Sequence, residues 1–128
     1  MRLIVLIGAT ALALSAPAAA QAADELKFFS NPGSSVICRY SSFSGFQELK
    51  CADRRAKGDD GGPLTLRLHK SEPTAELIFD PNPIEKRGSP VKSFARPGFA
   101  CTLTAAAVRC TNAVKHGFVL KLPKRTIF

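Results

Sequence analysis

The stretch Leu64-Thr65-Leu66-Arg67-Leu68-His69-Lys70 alternates apolar and polar residues more regularly than any other part of this chain. Successive side chains of a β-strand point to opposite faces of a sheet, so this period of two predicts a strand. Its three leucines are expected to face the interior, with Thr65, Arg67 and His69 on the other side. No window shows an apolar stripe of helical period with a cap at each end, and strands are therefore expected to build the whole fold.

Similar apolar or β-branched runs, separated by turn residues, predict further strands on both sides of this stretch. Ser41–Phe46 is expected to form a hairpin tip, residues 57–63 an exposed loop, and residues 84–97 mostly irregular chain. Pro123 has no N–H group for a sheet ladder and is expected to limit the final strand. The predicted fold is all-β: a small, disulfide-stapled sandwich or open barrel of about seven short antiparallel strands. The additional runs lie at 26–29, 36–40, 47–54, 75–79, 98–103, 107–111 and 118–122.

The amino-terminal segment has the three parts of a secretory signal peptide. Met1-Arg2 is a short basic start, Leu3 to Leu14 is an apolar run, and the alanines around Ala20 offer small-residue cleavage sites. An uncleaved anchor is the alternative, but about a dozen apolar residues are too few to span a bilayer of roughly 30 Å as a helix. We therefore predict a signal peptide at residues 1–20 and a single exported β-domain at residues 21–128, periplasmic or secreted, with no transmembrane span after cleavage.

All four cysteines follow this segment, and an even set in a small exported chain is typical of a disulfide framework. Four cysteines allow three connectivities. Cys38–Cys51 and Cys101–Cys110 are favoured, because each pair brackets a predicted hairpin. A zinc site is the alternative, but zinc ligands usually come in pairs two to four residues apart, which these cysteines do not. No metal and no cofactor are predicted.

The charges are distributed unevenly along the chain. Residues 21–85 hold eight Lys and Arg against ten Asp and Glu, whereas residues 86–128 hold nine Lys and Arg and no acid. Such a basic third attracts anions: lipid headgroups, acidic glycans, an acidic protein or nucleic acid, although export makes nucleic acid an improbable physiological ligand. The alternative is that the cations serve solubility and keep the edge strands unpaired. The candidate anion-binding residues are Lys86, Arg87, Lys92, Arg96, Lys115, Lys121, Lys124 and Arg125.

No set of residues has the pattern of a catalytic site. His69 is predicted on the polar face of a strand and His116 in a turn, and neither is accompanied by a nucleophile-elbow motif. Bonded cysteines have no thiolate with which to attack. Asp59 and Asp60 are adjacent but lie in a glycine-rich loop, which does not hold carboxylates within the tolerance that catalysis demands. The protein is therefore predicted not to be an enzyme.

Three residues are candidates for contact with a partner: Phe43, Phe46 and His116. The two phenylalanines flank Ser44-Gly45 at the predicted hairpin tip and could anchor in a partner's groove. The favoured alternative is that both rings fold back onto the core, because a small domain needs apolar volume. For His116, the alternative is a simple turn in which Gly117 permits an unusual dihedral and the next residue enters the core.

Several stretches resemble a group of small exported bacterial proteins classed as a domain of unknown function. Phe29-Ser30-Asn31-Pro32 through Val36-Ile37-Cys38 is similar to the group's F-x-S-P-x-x-N-I-x-C opening, and His116-Gly117-Phe118 resembles its G-H-G-F closing motif. The segment from Gly98 to Asn112 is similar to its G-x-F-x-C and G-V-x-C-x-N motifs. The chain departs from these patterns at Ser35, Lys115 and Arg125. The resemblance implies a signal peptide, disulfides and a compact β-fold, and it implies no activity.

The leading hypothesis is therefore a non-enzymatic exported domain that acts by binding or by structure in the bacterial envelope or outside the cell. A first alternative is an electrostatic binder of an anionic envelope component through the basic carboxy-terminal third. A second is an inhibitor of a secreted lytic enzyme or protease that uses the rigid hairpin tip.

Overall fold

A computed structural model describes residues 23–57, 63–78, 84, 86–121 and 124–128. Within these ranges the chain forms eleven strands in two sheets and contains no helix, so the all-β prediction is confirmed. No helix capable of crossing a membrane occurs in that part of the chain. The predicted signal peptide at residues 1–20 lies outside the described residues, as does most of the predicted loop at 57–63.

The two sheets form a sandwich rather than a closed barrel. Sheet A has six strands in the order β5-β4-β3-β2-β1-β6, and sheet B has five in the order β11-β10-β9-β8-β7. Neighbouring strands are antiparallel, except that β6 pairs parallel with β1. The strands are β1 Glu25–Ser30, β2 Val36–Phe43, β3 Phe46–Lys57, β4 Pro63–His69, β5 Glu76–Ile78, β6 Ser89–Pro90, β7 Ser93–Arg96, β8 Phe99–Leu103, β9 Ala107–Asn112, β10 Gly117–Lys121 and β11 Lys124–Ile127.

The alternating stretch forms β4, as its period predicts. Leu66 and Leu68 are fully buried between the sheets, whereas Arg67 and His69 lie half-buried on the outer face. Thr65 also points outward, yet it is only 5% exposed. The outer face is thus partly covered, and Ile84 packs there in a second apolar cluster with Ile37 and Ala52.

Aromatic rings fill the space between the sheets at the β1–β7 side. The rings of Phe29 and Phe94 stack with their centroids 4.1 Å apart, and this contact joins sheet A to sheet B. Tyr40 lies 5.8 Å from the ring of Phe94 and 5.8 Å from that of Phe99. The Tyr40 hydroxyl accepts a hydrogen bond of 2.7 Å from Gln47 Nε2, so its polar group is satisfied inside the core.

Each sheet carries one disulfide, with the connectivity favoured from the sequence. Cys38 and Cys51 are direct cross-strand partners on β2 and β3, and Cys101 and Cys110 are direct partners on β8 and β9. In both pairs the Cα atoms are 4.1 Å apart. All four residues are buried, so the two bridges lie inside the sandwich.

Two expectations about the second half of the chain need correction. Residues 84–97 were expected to be mostly irregular, and they also contribute the short strands β6 and β7. The strand expected to be the last one, β10, ends at Lys121 before Pro123, but a further strand, β11, follows. Tertiary contact explains β7, whose Phe94 is buried against the ring of Phe29. The short β6 tolerates Pro90 because it pairs on one side only, at the edge of sheet A.

A buried asparagine fastens the two sheets at one end of the sandwich. Asn31 is fully buried, and its Nδ2 donates to Ser35 Oγ at 2.9 Å and to the carbonyl of Thr104, in the turn between β8 and β9 of sheet B, at 3.0 Å. Its Oδ1 accepts a 2.8 Å bond from the Val36 N–H. We call this end, which holds the β1–β2 turn and the β8–β9 turn, the turn end. The opposite end, with the β2–β3 hairpin tip, is the tip end.

An ion pair joins the sheets nearer the tip end. Arg96 Nη2 and Nε donate to Glu25 Oε1 at 2.6 and 2.8 Å, and the Arg96 guanidinium lies 4.8 Å from the ring of Phe94. These hydrogen bonds, more than the charge attraction, lower the pKa of Glu25 below its ordinary value. A carboxylate with a lowered pKa stabilises the fold above its unfolded-state pKa, and this contribution is lost as the pH falls through its folded-state pKa.

Replacing Glu25 with Gln is therefore expected to make the free energy of unfolding depend less steeply on pH in the acidic range. At neutral pH the variant should lose no more than about 1 kcal/mol, because the pair is one-third exposed and solvent screens it. Below about pH 4 the difference between the two proteins should shrink. Urea unfolding of both proteins across this pH range measures the effect. A difference that grows on acidification would contradict it.

Candidate functional site

The β2–β3 hairpin ends in a tight turn that presents two aromatic rings to solvent. Ser44 and Gly45 have φ values of 51° and 80°, the two left-handed conformations of a type I′ turn. Phe43 and Phe46 flank the turn as direct cross-strand partners and are 54% and 56% exposed. The favoured expectation, that these rings fold back onto the core, is wrong. Tyr40 faces inward, and the period of two places Phe43 on the opposite, outer face of sheet A.

Two contacts hold this tip in place. Asp24 Oδ1 accepts a 3.0 Å hydrogen bond from the Ser44 N–H. The Phe46 ring stands edge-on to the imidazole of His69, with centroids 4.9 Å apart. The tip therefore keeps a defined orientation although both of its rings are exposed.

His69 is held between two carboxylates. Its Nδ1 lies 2.9 Å from Glu72 Oε1, and its Nε2 lies 3.2 Å from Glu48 Oε2. Glu48 also pairs with Lys50 at 3.5 Å, and Arg67 pairs with Glu76 and lowers the pKa of that carboxyl through the hydrogen bond it donates. Because the acids lie on opposite sides of the ring, they do not converge on one point. Among the described residues no three His, Cys, Asp or Glu side chains are placed to hold a metal ion.

The turn that contains His116 lies at the same end of the sandwich. Asn112, which is buried, donates from Nδ2 to the carbonyls of His69 and Glu72 at 3.0 and 2.7 Å. Its Oδ1 accepts from the N–H groups of Val114 and His116 at 3.1 and 3.0 Å. One side chain thus fixes the β9–β10 turn against the β4–β5 connection, and it leaves Val114 47% exposed and His116 half-buried.

Gly117 has a different role from the one expected. Its φ lies outside the left-handed region, and the residue of this turn with φ of 62° is Lys115. A Cβ on Gly117 would lie 1.8 Å from the carbonyl oxygen of Cys110, so the close approach of β9 demands glycine there. The following residue, Phe118, is fully buried as predicted.

The eight candidate anion-binding residues do not form one surface. Lys92 and Lys121 lie at the turn end, as does Lys124, the direct cross-strand partner of Lys121. Arg125 is exposed on the edge strand β11, and Lys115 is exposed at the tip end. Lys86 and Arg87 are exposed on the segment that leads from Ile84 to β6. Arg96 is committed to Glu25 between the sheets.

Sequence reasoning did not single out Arg39, which has an unusual environment. It is half-buried on the outer face of sheet A, with Phe28 and Lys50 as its direct cross-strand neighbours. Its Nε atom is buried and has no hydrogen-bond partner. Lys86 Nζ lies 5.7 Å from the centre of the Phe28 ring, so two cations adjoin the same aromatic side chain. The sequence shows Arg39 only as one polar residue in an alternating strand, which carries no signal of this kind.

The outer face of sheet B has a shallow depression of about 110 Å³. It is lined by Ala100, Cys101, Thr102, Arg109 and Thr111, and the Arg109 guanidinium lies 4.3 Å from the centre of the Phe128 ring. Sites for small molecules usually measure about 300–1,000 Å³. This depression therefore has room for a single small group and not for a whole ligand of ordinary size.

Comparisons with known proteins do not assign a function to this chain. The chain matches no protein-family model. It has no significant match among curated proteins or among solved structures.

Proposed function

We propose that this chain is an exported, non-enzymatic binding domain whose partner docks on the tip end of the sandwich. The observation that carries the proposal is the exposure of Phe43 and Phe46 on a turn of fixed geometry. Burying such a side chain stabilises a fold by about 1.5–3 kcal/mol, and a domain of this size has a modest core. Phe43 and Phe46 are not buried in the fold and do not contribute this stabilisation, so they are suited to burial in a complex.

The tip is also well organised before any partner arrives. The Cys38–Cys51 disulfide joins the two strands of the hairpin, and Asp24 and His69 hold its turn and one of its rings. A surface that is already ordered loses little conformational entropy on binding, which favours affinity. Export is supported by the signal-peptide pattern of residues 1–20 and by the two disulfides, which persist in oxidising compartments such as the bacterial periplasm.

Replacing Phe43 and Phe46 together with Ser is expected to abolish partner capture. The oxidised, exported protein would be immobilised and exposed to envelope extract, and bound proteins and lipids would be identified by mass spectrometry. Loss of two anchor rings should weaken binding by at least tenfold, since hot-spot residues contribute about 2 kcal/mol or more each. Stability should change little, because both rings are exposed.

The matched control is the double variant Leu77→Ser and Ile127→Ser. These residues are also large, apolar and exposed, at 43% and 40%, but they lie on the edge strands β5 and β11. The control should retain every partner that the native domain captures. If the Phe43/Phe46 variant captured every partner of the native chain equally well, docking at the tip would be contradicted.

A second candidate function is binding of an anionic envelope component at the turn end. Lys121 and Lys124 face each other directly across β10 and β11, an arrangement of like charges that destabilises a sheet unless an anion lies between them. Lys92 is exposed at the same end. Affinity carried by these cations should fall steeply with added salt, because the screening length is about 8–10 Å at physiological ionic strength. Binding that is independent of salt would count against this candidate.

A further inference from the structure

We propose that the partner of the tip is an anionic lipid bilayer, with Phe43 and Phe46 entering the interface and Arg39 receiving a lipid phosphate. This inference rests on the proposed function and adds the chemistry of the partner. The surface concerned, called the lipid face, is the outer side of the β1–β2 pair and its tip. It comprises Leu26, Phe28, Arg39, Phe43, Phe46 and Lys86.

The apolar residues of the lipid face form a continuous strip. Phe28 and Leu26 are two residues apart on β1 and point to the same side, and Phe43 lies one row beyond Leu26. Leu26 is 52% exposed and Phe28 is half-buried. With the two rings at the tip, four large apolar side chains therefore lie along one face of a sheet, and Leu26, Phe43 and Phe46 are each more than half exposed there.

Arg39 supplies the strongest argument for an anion. Its Nε atom is buried without a hydrogen-bond partner, so no carboxylate is bound at this nitrogen. The planar donor fork of arginine suits phosphate oxygens, which would accept hydrogen bonds from its terminal N–H groups. Lys86, on the other side of Phe28, adds a second positive charge to the same location.

The acids on this side of sheet A are already engaged. Glu48 pairs with Lys50 and His69, and Glu76 pairs with Arg67. Asp24 accepts a hydrogen bond from the Ser44 N–H. None of these acids is paired with Arg39, so an approaching anion meets its free positive charge.

The spacing of these groups fits a bilayer. Phe43 lies four positions after Arg39 along β2, which is about 13 Å at the rise of a strand. Amphipathic elements bury their apolar side about 5–10 Å into the boundary between headgroups and acyl chains. If the tip enters to that depth, Arg39 and Lys86 lie near the plane of the lipid phosphates. A cleft in a protein partner would hold the two rings. To pair with Arg39, it would also need an acidic side chain more than one strand width away from those rings.

The test compares binding of the oxidised, exported protein to two kinds of vesicle, phosphatidylcholine alone and phosphatidylcholine mixed with phosphatidylglycerol. Sedimentation should show binding to the mixed vesicles only. Arg39→Gln should weaken it about fivefold or more, since a cation near an anionic membrane contributes about 1 kcal/mol. Phe43→Ser with Phe46→Ser should weaken it at least tenfold. The control Arg54→Gln removes the same charge from an exposed arginine at the turn end, beside the β1–β2 turn, and should change it by less than about twofold.

Several results would overturn the inference. Equal losses for Arg39→Gln and Arg54→Gln would mean diffuse electrostatic attraction and no site. Equal binding to both vesicles would remove the role of the anion. A titration with inorganic phosphate provides another arm: saturable binding of free phosphate that needs Arg39, without vesicle binding, would identify a soluble-anion site. A protein captured through Phe43 and Phe46, with no vesicle binding, would leave the proposed function standing and exclude the bilayer. Unfolding midpoints of all variants should match that of the native protein.

Discussion

Replacing Cys38 and Cys51 together with Ala is expected to lower the free energy of unfolding by about 3 kcal/mol. The bridge closes a loop with a sequence separation of 13 residues, and removing it restores that loop's entropy to the unfolded chain. Both side chains are fully buried, so the lost sulfur contacts add to the destabilisation. A domain of this size has a total stability of roughly 5–15 kcal/mol, so the loss would be a large part of it. Urea unfolding followed by circular dichroism would measure the change.

The matched control for this experiment is the second bridge. Replacing Cys101 and Cys110 with Ala should have a slightly smaller effect, because its sequence separation is 9 residues. Reducing the native protein in mild denaturant should reproduce the sum of the two effects. A loss below about 1 kcal/mol for either pair would show that the corresponding loop is already constrained in the unfolded chain.

Replacing Asn112 with Ala is expected to have an effect of similar size, roughly 3–5 kcal/mol. The change removes four part-buried hydrogen bonds and leaves two carbonyls and two N–H groups without their protein partner. The β9–β10 turn should then lose its attachment to the β4–β5 connection. Equilibrium unfolding gives the energy, and amide hydrogen exchange at Val114 and His116 should become faster in the variant.

The control for Asn112 is its neighbour Thr111. The Thr111 hydroxyl makes a single long hydrogen bond of 3.5 Å to the Ala100 carbonyl and lies near the surface, so Thr111→Ala should change stability by less than about 0.5 kcal/mol. If Asn112→Ala costs no more than Thr111→Ala, the four contacts do not act together. The tip of the β2–β3 hairpin should be unaffected in both variants.

The features predictable from the sequence were those with a regular or countable signal. The alternation of residues 64–70 predicted β4, and the bracketing of two hairpins by cysteines predicted both disulfides. Turn chemistry around Ser44-Gly45 predicted the hairpin tip, although β2 and β3 extend further toward it than expected. These signals are local, so each could be recognised without knowing how the sheets pack.

The features that sequence reasoning missed depend on contacts between distant segments. β7 exists because Phe94 meets Phe29, about 65 residues away in the chain, and no local pattern encodes that contact. The exposure of Phe43 and Phe46 follows from the register of β2, which is set by its pairing with β3. The environment of Arg39 likewise depends on neighbours from other segments, Phe28 on β1 and Lys86 before β6. The uneven distribution of charge along the chain likewise did not show that the cations lie at different ends and on different faces of the sandwich.

The two disulfides each lie within one sheet, and none of the four cysteines links sheet A to sheet B. The covalent cross-links therefore reinforce each half of the molecule separately. The contacts between the halves are non-covalent and include the packed core, the hydrogen bonds of Asn31 and Asn112, and the Glu25–Arg96 pair. A thermal fluctuation can therefore separate sheet A from sheet B while each sheet keeps its own backbone hydrogen bonds. After such an opening, the two sheets can pack together again without re-forming their strands.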